Sequence, residues 1–335
     1  MTTRRTVLRS LAGSVGGSCL RPARRVLGRV ALAFVLCLAL ASAYACDAGP
    51  VDVDFGSLEA PAGGTASAPP ATSPLRIAVA PVLSAKPTSA LYQQLAEYVG
   101  NKLGRPVELV QGKTYAEIND LLKSGDVAVA LVCTNPYLQG RDDFGMELIA
   151  APLVKGEPVY YSYLIVARAS TAASLADLRG LSFAFTDPLS NTGRLAPTYQ
   201  LALRGKNPDA FFSQTIFTYS HDSSIRAVAD GVVTAAAVDS LVYDYLVEAE
   251  PAVAERVRVI ERWGPFGINP VVVNPRLNPQ LKDDLRGVFL GMQHDPEGAA
   301  ILRSLRIDQF VVPDDSTYDS VREMRAYLRE RGFAP

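Results

Sequence analysis

The sequence is poor in the residues most often used for chemistry, with two histidines, four cysteines and one tryptophan in 335 residues. The two histidines, His221 and His294, are too few and too isolated to form a His/Cys metal spacing. Cys19, Cys37 and Cys46 all fall in the first 46 residues. Only Cys133 remains beyond them, so no internal disulfide can form in that part of a monomer. Also absent are a Walker-type phosphate loop, a Gly-x-Ser-x-Gly nucleophile turn and a Gly-x-Gly-x-x-Gly dinucleotide turn. Nothing that is left assembles into a catalytic set. The sequence therefore reads as a non-enzyme, and no cofactor is implied.

Acidic residues are missing from the first 46 positions, which carry seven arginines instead. The arginines precede an apolar run from Val30 to Ala43 and then Ala43-Tyr44-Ala45-Cys46. A basic segment, a short apolar segment and small residues predict a secretory signal, and the run is short for a membrane span. Thr3-Arg4-Arg5-Thr6-Val7-Leu8 weakly resembles a twin-arginine signal, so either export route fits. Cleavage before Cys46 and lipidation of Cys46 both fit the exit site, although Tyr44 suits a lipobox poorly. Asp47 to Pro74, rich in Ala, Pro, Gly and Ser, reads as a disordered tether and favours a lipid on Cys46. The expected location is the periplasm or the outer face of the cytoplasmic membrane, with the lipid as the only membrane contact. Without the seven arginines, 26 basic residues face 34 acidic ones, a net charge of −8. That balance argues against a nucleic-acid partner.

From Leu75 the chain alternates strands and amphipathic helices. Leu75–Ala80, Val107–Val110 and Val127–Val132 read as strands, separated by helices over Ser89–Leu103 (capped by Thr88) and Tyr115–Lys123. The alternation restarts at Tyr160–Ala167. The expected fold is α/β, with two lobes that are each a mostly parallel sheet flanked by helices and a ligand cleft between them. Residues 75–160 and 265–335 are assigned to the first lobe and 161–264 to the second. Ligands of such sheets bind at the carboxyl ends of strands. That rule singles out Ser84, Cys133, Thr134, Ser190, Asn191, Thr192, His221 and Asp239.

Ser190-Asn191-Thr192-Gly193 lies between the apolar run Leu181–Phe185 and a helix from about Pro197. Hydroxyls, an amide and unpaired backbone N–H groups at a helix start suit an anion. A capped turn explains the same residues. Arg194 sits in the first helical turn, where a cation opposes the helix dipole. His221, in Ser-His-Asp-Ser-Ser, reads either as a donor to an oxyanion or as a loop histidine beside an Asp222 cap. Cys133 reads as a small buried hydrophobe or as a thiol facing the cleft.

Three stretches carry a resemblance: "LRIAVAP…LAEYVGNKLGRPVELVQGKTYAEINDLLKSGDVAVAL", "DPLSNTGRLAP" and "SHDSSIRAVADGVVTAAAVDS". Together they resemble the phosphate/phosphite/phosphonate substrate-binding proteins of bacterial ABC importers, over nearly all of residues 75–335. The resemblance implies a type II periplasmic-binding fold, a small oxyanion as ligand, a membrane permease as partner and a monomer. It also implies that Ser190, Asn191, Thr192 and Gly193 hold ligand oxygens, that His221 donates to another, and that Tyr115 and Tyr160 line the cleft. Asn191 stands where the family has Thr, and Cys133 where it usually has Gly. Leu241 and Asn269 stand near positions where aminoalkylphosphonate binders carry acids, which argues against such a ligand. Arsenite-sensing relatives are expected to use a cleft cysteine, so a sensor that uses Cys133 and signals through a partner is the alternative expectation.

Overall fold

The computed structural model describes residues 74–333. The expected export signal, Cys46 and all but the last residue of the tether lie outside the described residues. The chain opens with β1 (Leu75–Val79), α1 (Ala85–Leu103), β2 (Val107–Gln111), α2 (Tyr115–Ser124), β3 (Val129–Leu131), α3 (Thr134–Phe144) and β4 (Glu147–Leu153). It crosses into a second sheet through β5 (Val159–Ala167) and continues with β6 (Ser182–Phe185), a π turn at Asn191–Leu195, α4 (Ala196–Leu203) and α5 (Pro208–Phe211). Then come β7 (Gln214–Phe217), α6 (His221–Ala229), β8 (Ala235–Asp239), α7 (Ser240–Ala249), α8 (Pro251–Ala254) and β9 (Val257–Gly267). The return to the first sheet is β10 (Val271–Val273), followed by α9 (Pro279–Gly291), α10 (Pro296–Leu305), β11 (Gln309–Val311) and α11 (Asp319–Glu330).

The first sheet has the order β11-β4-β10-β3-β1-β2 and the second β7-β6-β8-β5-β9. β1 pairs parallel with β2 and β3, while β10 runs antiparallel to both β3 and β4. In the second sheet β6 pairs parallel with β7 and β8, and β5 runs antiparallel to β8 and β9. In each lobe, then, most strands share one direction, and the reversed interior strand (β10 or β5) is the one that enters from the other lobe. β8, Ala-Ala-Ala-Val-Asp, is buried along its length, as a strand covered on both faces requires. Its short side chains bring the flanking helices close.

Three features differ from the sequence reading. α1 starts at Ala85 with Ser84 as its cap residue, because Pro87 falls in the first turn, where a missing N–H costs nothing. The expected cap, Thr88, lies inside the helix and donates its hydroxyl back to the Leu83 carbonyl at 2.9 Å. Residues 134–153 form α3 and β4, neither of which the periodicity had suggested. The last helix touches both lobes: Tyr327 packs edge-on against Tyr199 of α4 (5.1 Å), and Arg325 pairs with Asp142 of α3 (3.1 Å).

Candidate functional site

β6 delivers the chain into Thr186-Asp187-Pro188-Leu189-Ser190, and the π turn begins at the next residue. Ser190 caps this turn by accepting the Gly193 N–H on Oγ at 2.9 Å. Its own hydroxyl proton therefore stays available to a ligand. Gly193 is required by close approach, since a Cβ there would lie 2.6 Å from Thr186 Cβ and 3.0 Å from Ser190 Oγ.

His221 opens α6 and is fully buried against this turn. The Asp239 N–H donates to its Nδ1 at 3.1 Å, with Thr186 Oγ1 at 3.0 Å from the same nitrogen. Nδ1 is thus the acceptor, and the ring proton sits on Nε2, 3.4 Å from Ser190 Oγ. Burial pushes the His221 pKa down to about 3, with Asp222 opposing the shift, so the ring is neutral at physiological pH.

From the first lobe come Tyr115 at the start of α2 and Cys133 just before α3, with Tyr160 on the crossover strand β5. Tyr160 Oη lies 3.7 Å from Cys133 Sγ and 3.0 Å from Asn191 Nδ2. Burial is the main cause that raises both phenols well above their ordinary pKa and the thiol to about 11. All three groups are therefore protonated and neutral. Three atoms here are buried without a hydrogen-bond partner: Tyr115 Oη, Asn191 Oδ1 and Thr192 Oγ1. Buried polar atoms in folded proteins are rarely left unpaired, so two such atoms in the Ser-Asn-Thr-Gly turn and a third on Tyr115 from the facing lobe mark a place where something else can bind.

Other residues singled out from sequence sit nearby but are engaged elsewhere. Ser84 faces lobe two, with its N–H and Oγ both donating to the Asp222 carboxylate at 2.8 and 2.6 Å. Thr134 Oγ1 donates to the Gly267 carbonyl at 2.6 Å. The Asp239 carboxylate caps α7, accepting the N–H groups of Leu241 (2.8 Å) and Val242 (3.4 Å), and burial pushes its pKa up to about 7. Arg194 turns away from the motif and lies over the Phe185 ring, 4.2 Å from its centroid.

Sequence reasoning passed over Asp187. Its Oδ2 crosses the cleft to accept the Tyr115 N–H at 3.1 Å, while Oδ1 accepts the Leu189 N–H. The only signal was its place in "TDPLS". It likewise read Asp222 as a local cap, whereas the carboxylate reaches the other lobe.

Two α/β lobes joined by crossover strands, with a buried set of neutral donors at the strand ends between them, define a two-lobed solute-binding protein of the type II periplasmic class. The family model for the "ABC transporter, phosphonate, periplasmic substrate-binding protein" matches residues 77–318, and the chain belongs to that family. It is 28% identical to the phosphate-import protein PhnD of Mycolicibacterium smegmatis over 305 residues, 85% of this chain and 94% of that one. It is 25% identical to the phosphonates-binding periplasmic protein of Escherichia coli K12 over 236 residues, 69% of this chain and 70% of that one. Among solved structures, a binding component of an ABC phosphonate transporter from Pseudomonas aeruginosa aligns with a TM-score of 0.74 at 22% identity, covering 78% of this chain and 88% of that one. PhnD1 of Prochlorococcus marinus in complex with methylphosphonate aligns at 0.69 with 17% identity, covering 76% and 98%. These two share the fold. Membership in this family makes the chain a periplasmic binding component of an ABC transporter, with a small-molecule ligand and a permease as partner. The alternative expectation, a sensor built on Cys133, finds no support in these comparisons, and the thiol itself is buried and protonated.

Proposed function

We propose that the protein captures a small phosphorus oxyanion by hydrogen bonds alone and hands it unchanged to an ABC permease, held at the membrane through a lipid on Cys46 and acting as a monomer. The observation that carries this reading is the cluster of unpartnered buried atoms on Tyr115, Asn191 and Thr192, set beside the Ser190 hydroxyl, whose oxygen accepts from the Gly193 N–H and lies 3.4 Å from His221 Nε2, so that its own proton is left for a ligand. Hydroxyl and N–H donors match the lone pairs of a tetrahedral anion, and each bond is strengthened by the ligand's charge. Asn191 completes the set once its amide is turned end for end. Oδ1 then accepts from the Tyr160 hydroxyl and Nδ2 becomes a donor to the ligand. The −8 balance of the exported chain leaves local geometry, not bulk charge, to hold the anion.

Calorimetry with phosphate, phosphite and methylphosphonate tests the reading. At least one should bind with micromolar or tighter affinity, and all of it should be recovered chemically unchanged. Absence of heat with all three, or turnover of any of them, refutes it.

A further inference from the structure

A cavity of about 700 Å³ lies between the lobes beside the oxyanion site. A ligand pocket of that size suits an organic molecule of many heavy atoms. A bare oxyanion has the bulk of only a few waters, at about 30 Å³ each. The cavity and the site share a wall. Asp239 donates its backbone N–H to His221 Nδ1 and is also one of the residues lining the cavity. Asn269, on the crossover, contacts Thr134 Oγ1 at 3.4 Å and Asp239 Oδ2 at 3.5 Å and lines the same space.

Beyond that wall the surface is largely hydrocarbon, from Val82, Leu83, Leu91, Leu241, Val242 and Ile268. These come from the β1–α1 loop and α1 on one side, α7 on the other and the crossover behind, so the chamber has its full walls only when the lobes are together. Its outer rim is charged and paired across the cleft. Arg306 at the end of α10 meets Glu248 of α7 (2.6 Å), and Lys155 between β4 and β5 meets Asp244 (3.1 Å). An apolar chamber with a polar rim, set against an anion site at Asp239 and Asn269, describes an amphiphilic ligand.

We infer that the chamber takes the apolar organic substituent of the bound oxyanion, so that the preferred ligands are phosphonates or phosphate monoesters bearing a hydrocarbon group of several carbons. This rests on the oxyanion reading above. Leu241 is part of the apolar wall. The carboxylate between chamber and site, Asp239, accepts the N–H groups of Leu241 and Val242 on Oδ1, and Asn269 Nδ2 stands 3.5 Å from its Oδ2. A cationic aminoalkyl group would have to displace the Asn269 amide to reach that oxygen.

The test is a chain-length series on the unaltered protein: methyl-, n-butyl- and n-hexylphosphonate, the matching n-alkyl phosphates, 2-aminoethylphosphonate and inorganic phosphate. Burial of each methylene should tighten binding roughly fourfold at best, so hexylphosphonate should exceed methylphosphonate by about 50-fold or more. Equal gains for the alkyl phosphates support the chamber and place the monoesters in its ligand class. Gains confined to the phosphonates support it and narrow the class to C–P compounds. Leu91→Gln and Leu241→Asn should each erode the hexyl gain and leave methylphosphonate affinity within about threefold. The inference is overturned, with the oxyanion reading intact, if methylphosphonate or phosphate binds but affinity is flat or falling with chain length. Tighter binding of 2-aminoethylphosphonate than of hexylphosphonate also overturns it, as does a hexyl gain unchanged in both variants. Binding of none of the series removes the oxyanion reading itself.

Discussion

The two strand-to-helix loops of the second lobe, Thr186–Gly193 and Ser220–Ser224, sort their residues in the same way. Each contains one aspartate, and in each the aspartate leaves the site. Asp187 accepts the first N–H of α2, and Asp222 accepts the N–H and hydroxyl of Ser84 at the start of α1. The neutral residues Ser190, Thr192 and His221 stay at the proposed anion site. The carboxylates thus meet the positive ends of two first-lobe helices, where they draw the lobes together. Removed from the site, they do not repel its ligand. The proposed anion site and the contacts between the lobes are therefore built from the same two loops but from opposite kinds of side chain.

The largest test of that sorting is pH, because it charges the group that must stay neutral. His221 has its pKa depressed by burial from its ordinary 6.5 to about 3. Its contribution to stability is present above pH 6.5 and is lost as pH falls from there toward 3, where the folded state cannot take up the proton that the unfolded state binds. The full loss is up to about 5 kcal/mol at the acid end. Asp239, in contact with the same ring, has a raised pKa of about 7 and acts in the opposite sense: its contribution is complete below about 3.8 and is lost as pH rises through 7. The two offset each other in the wild type between about pH 4 and 6.5. Urea unfolding of His221→Gln against wild type at pH 7, 5 and 4 isolates the histidine, and the variant should gain steadily on the wild type as pH falls. Parallel stability curves would show that His221 is not held neutral by burial.

The closure half of the comparison is tested at Asp222. Asp222→Asn keeps the size of the side chain but removes the charge from two hydrogen bonds to α1. Charge-assisted bonds contribute roughly 1.5–3 kcal/mol, so ligand affinity should fall about 10- to 150-fold. The unfolding midpoint of the ligand-free protein should move far less, because the lost contacts join the lobes and do not hold either core together. Loss of secondary structure in the variant, or unchanged affinity, would place Asp222 outside the closure machinery.

Much of this arrangement was legible in the sequence because a doubly wound sheet fixes where loops go. Apolar runs such as Val127–Val132 and Ala235–Val238 locate strand ends, and the residues that follow them must meet in the cleft. What did not show was direction. Ser84, Thr134 and Asp239 were selected by the same rule as Ser190 and His221, yet their polar atoms are taken up by Asp222, Gly267 and α7. Asp222 and Gly267 lie far along the chain from Ser84 and Thr134, so no local pattern encodes those pairings, whereas Asp239 caps the helix that directly follows it. The segment from Thr134 to Leu153 was missed for a local reason. α3 opens Thr-Asn-Pro and carries Gly140 in its interior, a composition that argues against a helix, and it is held instead by packing: Gly140 sits where a Cβ would run into Met146. The apolar chamber had no linear signature at all, since α1, α7 and the crossover each contribute a few residues to it.

The smallest expected effect concerns the one cation inside the anion motif. Arg194 follows Gly193 directly, and from sequence it could have been the ligand's counter-charge. In the folded protein its guanidinium lies 4.2 Å from the Phe185 ring centroid and 5.7 Å from that of Phe217, and desolvation lowers its pKa, so the charge is held by aromatic faces on the far side of the turn. A cation–π contact of this kind contributes roughly 0.5–2 kcal/mol to folding. Arg194→Gln should therefore lower the melting temperature by a few degrees and leave oxyanion affinity within about threefold. Salt should discriminate further. If Arg194 paired with the ligand, raising the ionic strength would weaken binding to the wild type more than to the variant, whereas a site of neutral donors gives the two proteins the same salt dependence. A tenfold loss of affinity in Arg194→Gln, or a shallower salt slope than wild type, would restore the arginine to the site and end the strict division between neutral donors at the anion and charges elsewhere.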